Sequence, residues 1–327
     1  MAISTRLTRF FDIEHPIILA PMTPAAGGAL ASAVSQAGAL GLLGGGYADR
    51  AWYEEETRNI THPRVGCGFI TWAAERDLDL FERALTDRPT AMMLSFSDPA
   101  LLAARVKKAK VPLICQVHTP DQARRAIDVG ADVVVAQGTE AGGHGLDEYT
   151  MLSLLSLVIE LASRNAASPL VAAAGGIADG RGLAAVLELG ADGVLMGTRF
   201  WATQESLIHP AAKQKVIAAD GDATIRTSVY DIVRQKDWPR GYTGRLLKNA
   251  FIEKWHGREA ELRKMRAEEL LKVEEAWSAG DYDTANVTVG QAIGLVHDVP
   301  PAAEVISRIM QQAADLVGKF APQKASA

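Results

Sequence analysis

His144 is the residue whose surroundings point most directly to chemistry. It lies in QGTEAGGHG (Gln137–Gly145), a stretch with no apolar period and with glycines on both sides, so core packing does not account for it. A neutral imidazole near pH 7 is a suitable general base; a surface or capping histidine is the plainer alternative. Two other glycine-bearing pairs, Gly175-Gly176 and Gly197-Thr198, offer backbone N–H groups that an anion can approach without side-chain obstruction. The alternative for them is a pair of tight turns. His118 is followed by Thr119-Pro120-Asp121, which opens a helix, so capping or packing is its expected role. Glu140 could orient a neighbour or pair with Arg199. The remaining histidines show no constellation, and neither HExxH nor DxDxDG occurs. Cys67 and Cys115 stand far apart in apolar runs and read as reduced, buried thiols.

The elements that must carry these residues repeat along the first two-thirds of the chain. Short apolar runs occur at His15–Met22, Ala37–Leu43, Arg64–Ile70, Thr90–Phe96, Val111–Val117, Ala131–Gln137, Ser168–Ala174 and Ala191–Gly197. Their near-continuous apolar character suits strands covered on both faces. Between them lie helical segments with start and stop signals: Thr119-Pro120 opens one that Gly130 ends, and Asp179 opens one that Gly190 ends. The endings Gly130-Ala131-Asp132 and Gly190-Ala191-Asp192 look like copies of one β/α module. Eight such units predict a (β/α)8 TIM barrel complete by residue 200, with the site at the C-terminal ends of its strands. A doubly wound sheet is disfavoured, because no GxGxxG follows the first strand. In a barrel the loops after strands seven and eight form the usual phosphate cradle, which turns Gly175-Gly176 and Gly197-Thr198 into an expected phosphate site.

Composition agrees with that architecture. With 327 residues, 48% hydrophobic and 22% charged, the chain can bury a large core, which excludes disordered, collagen-like and coiled-coil classes. A net charge of −5 without a basic stripe argues against nucleic-acid binding. The N-terminus lacks the apolar run of a signal peptide and no window is long enough for a membrane helix, so a soluble, cytoplasmic protein is expected. Residues 1–200 are expected to form the barrel, 201–300 a helical cap or lid, and 301–327 a C-terminal helix packing on the barrel with a frayed tail. Within the cap, TSVYDIVRQKDWPRGYTGR carries Tyr230, Trp238, Tyr242 and Arg245; it reads either as a lid over the pocket or as a surface loop packed by its own aromatics.

Taken together, QGTEAGGHG, AAGGI (Ala173–Ile177), LMGTRF (Leu195–Phe200), the HPIILAPM start and the late GQAIGLVHDVPPA (Gly290–Ala302) resemble the nitronate monooxygenase family, formerly the 2-nitropropane dioxygenases. The resemblance covers essentially the whole chain. It implies an FMN-dependent enzyme that oxidises nitronates or nitroalkanes to a carbonyl compound and nitrite using O2. It places Ala20, Pro21 and Met22 along the flavin ring. Gln137 and Gly142, with Gly143 beside them, fall at the flavin or its ribityl chain. The phosphate falls to Gly175, Gly176, Leu195, Met196, Gly197 and Thr198, and His144 matches the catalytic histidine. The implied partners are a small nitronate or nitroalkane and O2, with no metal, nucleic acid or membrane; a homodimer is compatible with it. One departure is that family members often end strand three in a GVN-like triplet, where this chain has Gly66-Cys67-Gly68. The competing readings are an NAD(P)H-dependent flavin reductase of the same fold (enoyl-acyl-carrier-protein reductase-like or quinone reductase), a flavin-free sugar-phosphate isomerase, and a non-enzymatic barrel.

Overall fold

The apolar runs form strands that are buried along almost their whole length. In the computed structural model, which describes residues 3–320, they are β1 (Ile17–Leu19), β2 (Gly41–Gly46), β3 (Val65–Ile70), β4 (Met92–Ser95), β5 (Leu113–Val117) and β6 (Val133–Gln137). After a short excursion, β7 (Gly143–Gly145), come β8 (Leu170–Ala174) and β9 (Gly193–Met196). Eight of these, all but β7, pair in parallel in the order β1-β9-β8-β6-β5-β4-β3-β2, and a bridge between Ile18 and Leu40 brings the two edges together. The expected eight-stranded barrel is therefore present, its seventh and eighth strands being β8 and β9.

Alternation along each strand divides the core in two. Ile18, Leu42, Met93, Ile114, Val133, Val135, Ala172 and Leu195 fill the barrel. Ile17, Leu19, Leu43, Leu94, Val134, Val171 and Val194 pack outward against the helices. Leu7 and Phe11, on the helix Arg6–Phe11, belong to the inner cluster and seal the end of the barrel from which β1 starts. The opposite end stays open for a ligand.

The two repeated modules also share their hydrogen bonds. Thr119 and Asp179 cap the helices Pro120–Asp128 and Gly180–Glu188 through their side chains. Each helix ends in a glycine with positive φ, 80° at Gly130 and 101° at Gly190, a conformation that costs glycine little. In each, the following aspartate bonds the preceding strand: Asp132 accepts from the Leu113 N–H at 2.8 Å and Asp192 from the Val171 N–H at 2.9 Å. Asp192 also receives two bonds from Arg6, at 2.7 and 2.8 Å, and ties the N-terminal helix to the barrel.

Beyond residue 200 the expectation of a helical cap needs a correction. Helices Pro210–Ile217, Val229–Val233, Ala250–Trp255 and Glu259–Ala279 are present, but so are β10 (Thr224–Thr227) and β11 (Thr243–Leu247). These pair antiparallel with each other, and β11 continues onto β7, giving a three-stranded sheet above the barrel. The reason is a shared need for backbone partners: the glycine-rich β7 leaves an open edge, and β11 fills it, with Gly244 opposite His144. Arg226 and Arg245 clamp the junction by donating to the Thr139 carbonyl oxygen, each at 3.0 Å. The final helix spans Ala302–Phe320 and packs on Gly180–Glu188, where the Gln312 side chain accepts from the Gly180 N–H at 2.8 Å. The tail expected to fray, 321–327, lies outside the described residues.

Asp192 serves a buried N–H and a guanidinium at once, whereas Asp132 serves one N–H. Asp192→Ala is expected to cost about 2–3 kcal/mol, because a buried donor is left without an acceptor and a charge-assisted pair is lost. Asp132→Ala should cost clearly less. Urea midpoints at unchanged m-value measure both, and equal losses would remove the role given to Arg6.

Candidate active site

A cavity of about 410 Å³ opens at the C-terminal ends of the barrel strands and reaches under the cap. At one end the backbone is free to bind an anion. Gly175 and Gly176 have φ of 97° and 73°, and the N–H groups of Gly175, Gly176, Gly197 and Thr198 have no backbone acceptor among the described residues. The Thr198 hydroxyl accepts from the Gly290 N–H at 2.9 Å, which leaves its own hydrogen available to donate. Glu140 lines this region, but its carboxylate is turned away to accept from the Met151 N–H at the start of a helix, at 2.9 and 3.0 Å. Free N–H groups on two loops that line one cavity are the kind of donors that bind an anion.

The middle of the cavity is lined by Ala20, Pro21 and Met22 from the end of β1 and by buried polar side chains on the facing strands. Gln137 donates to the His144 carbonyl oxygen at 2.7 Å and so pins the loop that carries the histidine. Ser95 and Gln116, 4% and 8% exposed, line the cavity without a side-chain hydrogen bond to the described protein. Buried polar groups need partners, so these two are free to meet polar atoms of a planar ring system. A flavin fits this donor set: an anion nest at one end, apolar walls, and unpartnered amide and hydroxyl groups between.

His144 stands at the far end. Its Nε2 lies 2.9 and 3.0 Å from the two carboxylate oxygens of Asp231, on the helix Val229–Val233. A carboxylate only accepts, so Nε2 carries the ring hydrogen and the lone pair of Nδ1 is left for chemistry. One face of the imidazole is covered by Trp238, stacked at 3.5 Å between centroids and 8° between planes. The Trp238 indole N–H donates to the Tyr47 hydroxyl at 3.0 Å, joining the cap to the loop after β2. Burial, with the Asp231 charge nearby, pushes the Tyr47 phenol well above its ordinary range, so it stays neutral.

Of the residues singled out from sequence, Ala20, Pro21, Met22, Gln137, Gly142, Gly143, His144, Gly175, Gly176, Leu195, Gly197 and Thr198 all line the cavity. Met196 does not: alternation on β9 sends its side chain outward into the helix-facing core. Arg199 does not meet Glu140, since Asp298 takes its guanidinium at 3.0 Å. Within the aromatic segment, Tyr230 and Trp238 reach the cavity. Tyr242 is held behind it by the Gln122 amide at 3.0 Å, and Arg245 is spent on the Thr139 carbonyl. Sequence reasoning passed over Asp231, although it lies in the same segment. Only the pairing of β11 with β7 brings it to His144, and that pairing has no hydrophobic signature. Gln116 and Ser95 were visible as polar residues ending apolar runs.

The sequence profile of nitronate monooxygenase matches residues 4–63 and 68–312. A nitronate monooxygenase of Neurospora crassa is 31% identical over 97% of this chain and 94% of its own length. Among solved structures, FabK from Thermotoga maritima superposes with a TM-score of 0.83 at 32% identity, covering 97% of this chain and 98% of that one. The nitroalkane oxidase from Streptomyces ansochromogenes gives 0.76 at 26% identity, over 96% and 100%. The chain belongs to the nitronate monooxygenase family and is a flavin-dependent oxidoreductase. No helix among the described residues is long and apolar enough to cross a membrane.

His118 lies behind His144 and packs as expected, stacked on Phe96 at 5.6 Å and edge-on to Tyr242. It is 2% exposed and neither ring nitrogen has a partner among the described residues, so burial, with a smaller contribution from Arg226, drives its pKa down to about 3. The folded state holds this ring neutral, while the unfolded chain protonates it near pH 6.5. Stability therefore falls as pH drops from 6.5 towards 3. At pH 5 the loss relative to pH 7.5 is about 2 kcal/mol for this one group. His118→Phe is expected to flatten that part of the stability–pH curve; an unchanged slope would show that the ring is protonated in the fold.

Proposed function

We propose that this protein oxidises nitronates, and nitroalkanes after removal of their α-proton, to a carbonyl compound and nitrite with O2, and that its flavin is FMN. The observation that supports the reading is that the Asp231–His144 pair and the free N–H groups of Gly175, Gly176, Gly197 and Thr198 belong to residues lining one cavity. FMN is favoured over FAD because the sequence carries no second nucleotide fingerprint. The free N–H groups of Gly175, Gly176, Gly197 and Thr198 would hold the phosphate. Gln116 and Ser95 would meet the ring, with Ala20, Pro21 and Met22 along it. FMN supplies the two-electron redox chemistry and the reaction with O2.

The protein residues have a narrower task. Nδ1 of His144 takes the proton from the carbon beside a nitro group, and Asp231 stabilises the imidazolium that forms, as a carboxylate does for a catalytic histidine. Trp238 keeps the imidazole in one orientation and keeps water from its covered face. A preformed nitronate needs no base, so for it the same histidine offers charge stabilisation and position only.

Two experiments test this. His144→Ala should lower kcat/KM for neutral nitroalkanes by about 10²–10⁴-fold, the usual contribution of a general base, with a much smaller loss on preformed nitronates. Nitrite release by the parent is the assay; flavin bleaching by NADH or NADPH without nitrite from any nitronate would favour the reductase reading. The phosphate assignment is tested at Gly176, where a Cβ would have room, the nearest atom being 3.5 Å away on Glu140. Gly176→Asp should purify largely without flavin, while Gly176→Ala, which carries the same backbone cost without the charge, should retain it. Full occupancy in the aspartate variant would defeat the assignment.

A further inference from the structure

Arg234 is the cation of the cavity that the mechanism above leaves unused. It follows the helix Val229–Val233 and lies three residues after Asp231, a spacing that puts the two on one side of the helical turn. Its guanidinium lies over the rings of Tyr230 at 5.7 Å and Trp277 at 5.8 Å. Yet much of its surface is open, and what it opens onto is the cavity that His144 and Asp231 also line. One terminal nitrogen donates to the Asn286 side-chain oxygen. No carboxylate among the described residues lies within 4 Å, although Asp231 and Glu274 are near enough to favour its charge. A guanidinium flanked by two aromatic rings is oriented and weakly hydrated, and its unused N–H groups form a fork that matches two oxygens in a plane. With no carboxylate pairing it, that fork is available to an anionic ligand in the cavity that Arg234 lines.

We propose that Arg234 is the specificity-determining residue for charge: it binds the two-oxygen, planar anionic group of the substrate and so favours a nitronate over the neutral nitroalkane. The assignment rests on the nitronate reading for its substrate, but the binding step is independent of turnover. Tyr230 and Trp277 flank the guanidinium and Asn286 holds one nitrogen, which leaves the other N–H groups for a ligand in the cavity. Asp231 is already engaged by His144 and does not neutralise it. The anion is thereby drawn to the half of the cavity that holds the base, away from the nest at Gly175-Gly176.

Nitrate, an unreactive planar oxyanion, is the binding probe, read by perturbation of the bound flavin's visible absorption in the holoenzyme. Arg234→Gln is expected to weaken nitrate binding by about 10- to 100-fold, the usual worth of a charge-assisted pair. Arg234→Lys should fall between, since it keeps the charge and loses the fork. For nitronates KM should rise with little change in kcat, while affinity for the neutral nitroalkane, whether turned over or merely competing, stays within about twofold. Nitrate bound as tightly by both variants as by the parent overturns the proposal. So does an equal loss for neutral and anionic ligands, the signature of a residue that only packs the cap. If nitrate binding responds as expected but no nitronate is oxidised, the anion site stands and the proposed reaction falls.

Discussion

The antiparallel pairing of β7 with β11 is the contact on which the site depends. β7 is three residues long and has no apolar side chain of its own, so its position is set by backbone bonds and not by burial. Once Gly244 lies opposite His144, the short helix before β11 falls beside the imidazole and delivers Asp231, and the turn after it delivers Trp238. Arg226 and Arg245 serve the same junction: with no carboxylate among the described residues closer than 3.8 Å, both donate to the Thr139 carbonyl of the β6–β7 loop, and Arg226 also to the Gly145 carbonyl at the end of β7. Burial lowers the Arg226 pKa to about 10, which still leaves it charged at neutral pH. These guanidiniums satisfy carbonyl oxygens that would otherwise be buried unpaired under the cap.

Close backbone approach is the second constraint, and it explains why particular glycines stand where they do. A Cβ on Gly142 would lie 2.4 Å from the Val289 carbonyl carbon, and one on Gly290 would lie 2.6 Å from the Glu140 oxygen. Two backbones thus touch directly, and the late segment from Gly290 becomes a wall of the cavity. Gly68 has the same character: a Cβ there would meet Pro21 at 2.3 Å. The departure from the GVN-like triplet is therefore a packing choice with a consequence. Pro21 occupies the space that an asparagine would need, and the polar groups on that side of the cavity come instead from Ser95 and Gln116, one and two strands further round.

These constraints separate what could be read from the sequence and what could not. The barrel was legible because each strand is a local apolar run bounded by recognisable caps, and because burial on both faces removes the ambiguity of alternation. The glycine-rich rim of the cavity was legible because it follows from barrel geometry and glycine alone. His144 stood out for lack of any packing reason to be there. The three-stranded sheet was not legible, since GHG, TIRT and TGRLL carry weak strand signals that only their mutual pairing makes decisive. Asp231 and Arg234 were hidden for the same reason: both belong to a segment whose place in space is dictated by partners about 90 residues away in the chain. Met196 failed for a simpler cause, a run of neighbouring residues being assigned to one face of a strand that alternates.

The result is a division of labour between barrel and cap. The barrel loops hold the end of the cavity suited to a phosphate, through main-chain groups whose chemistry does not depend on side-chain identity. The cap contributes Asp231, Arg234, Tyr230 and Trp238, side chains that line the cavity and, in the proposed reaction, would decide which proton moves and which charge is welcome. His144 is the one group that belongs to both, since its backbone is held by Gln137 of the barrel and its ring by Asp231 and Trp238 of the cap. A shift of the cap would therefore change the orientation of the base before it disturbed the anion nest. The Trp238–Tyr47 hydrogen bond and the stack on His144 oppose that shift together: opening the cap at this point breaks the hydrogen bond and the stack in the same movement. Closure over His144 is thus coupled to the geometry that orients its ring, with Nε2 held by Asp231 and one face under Trp238.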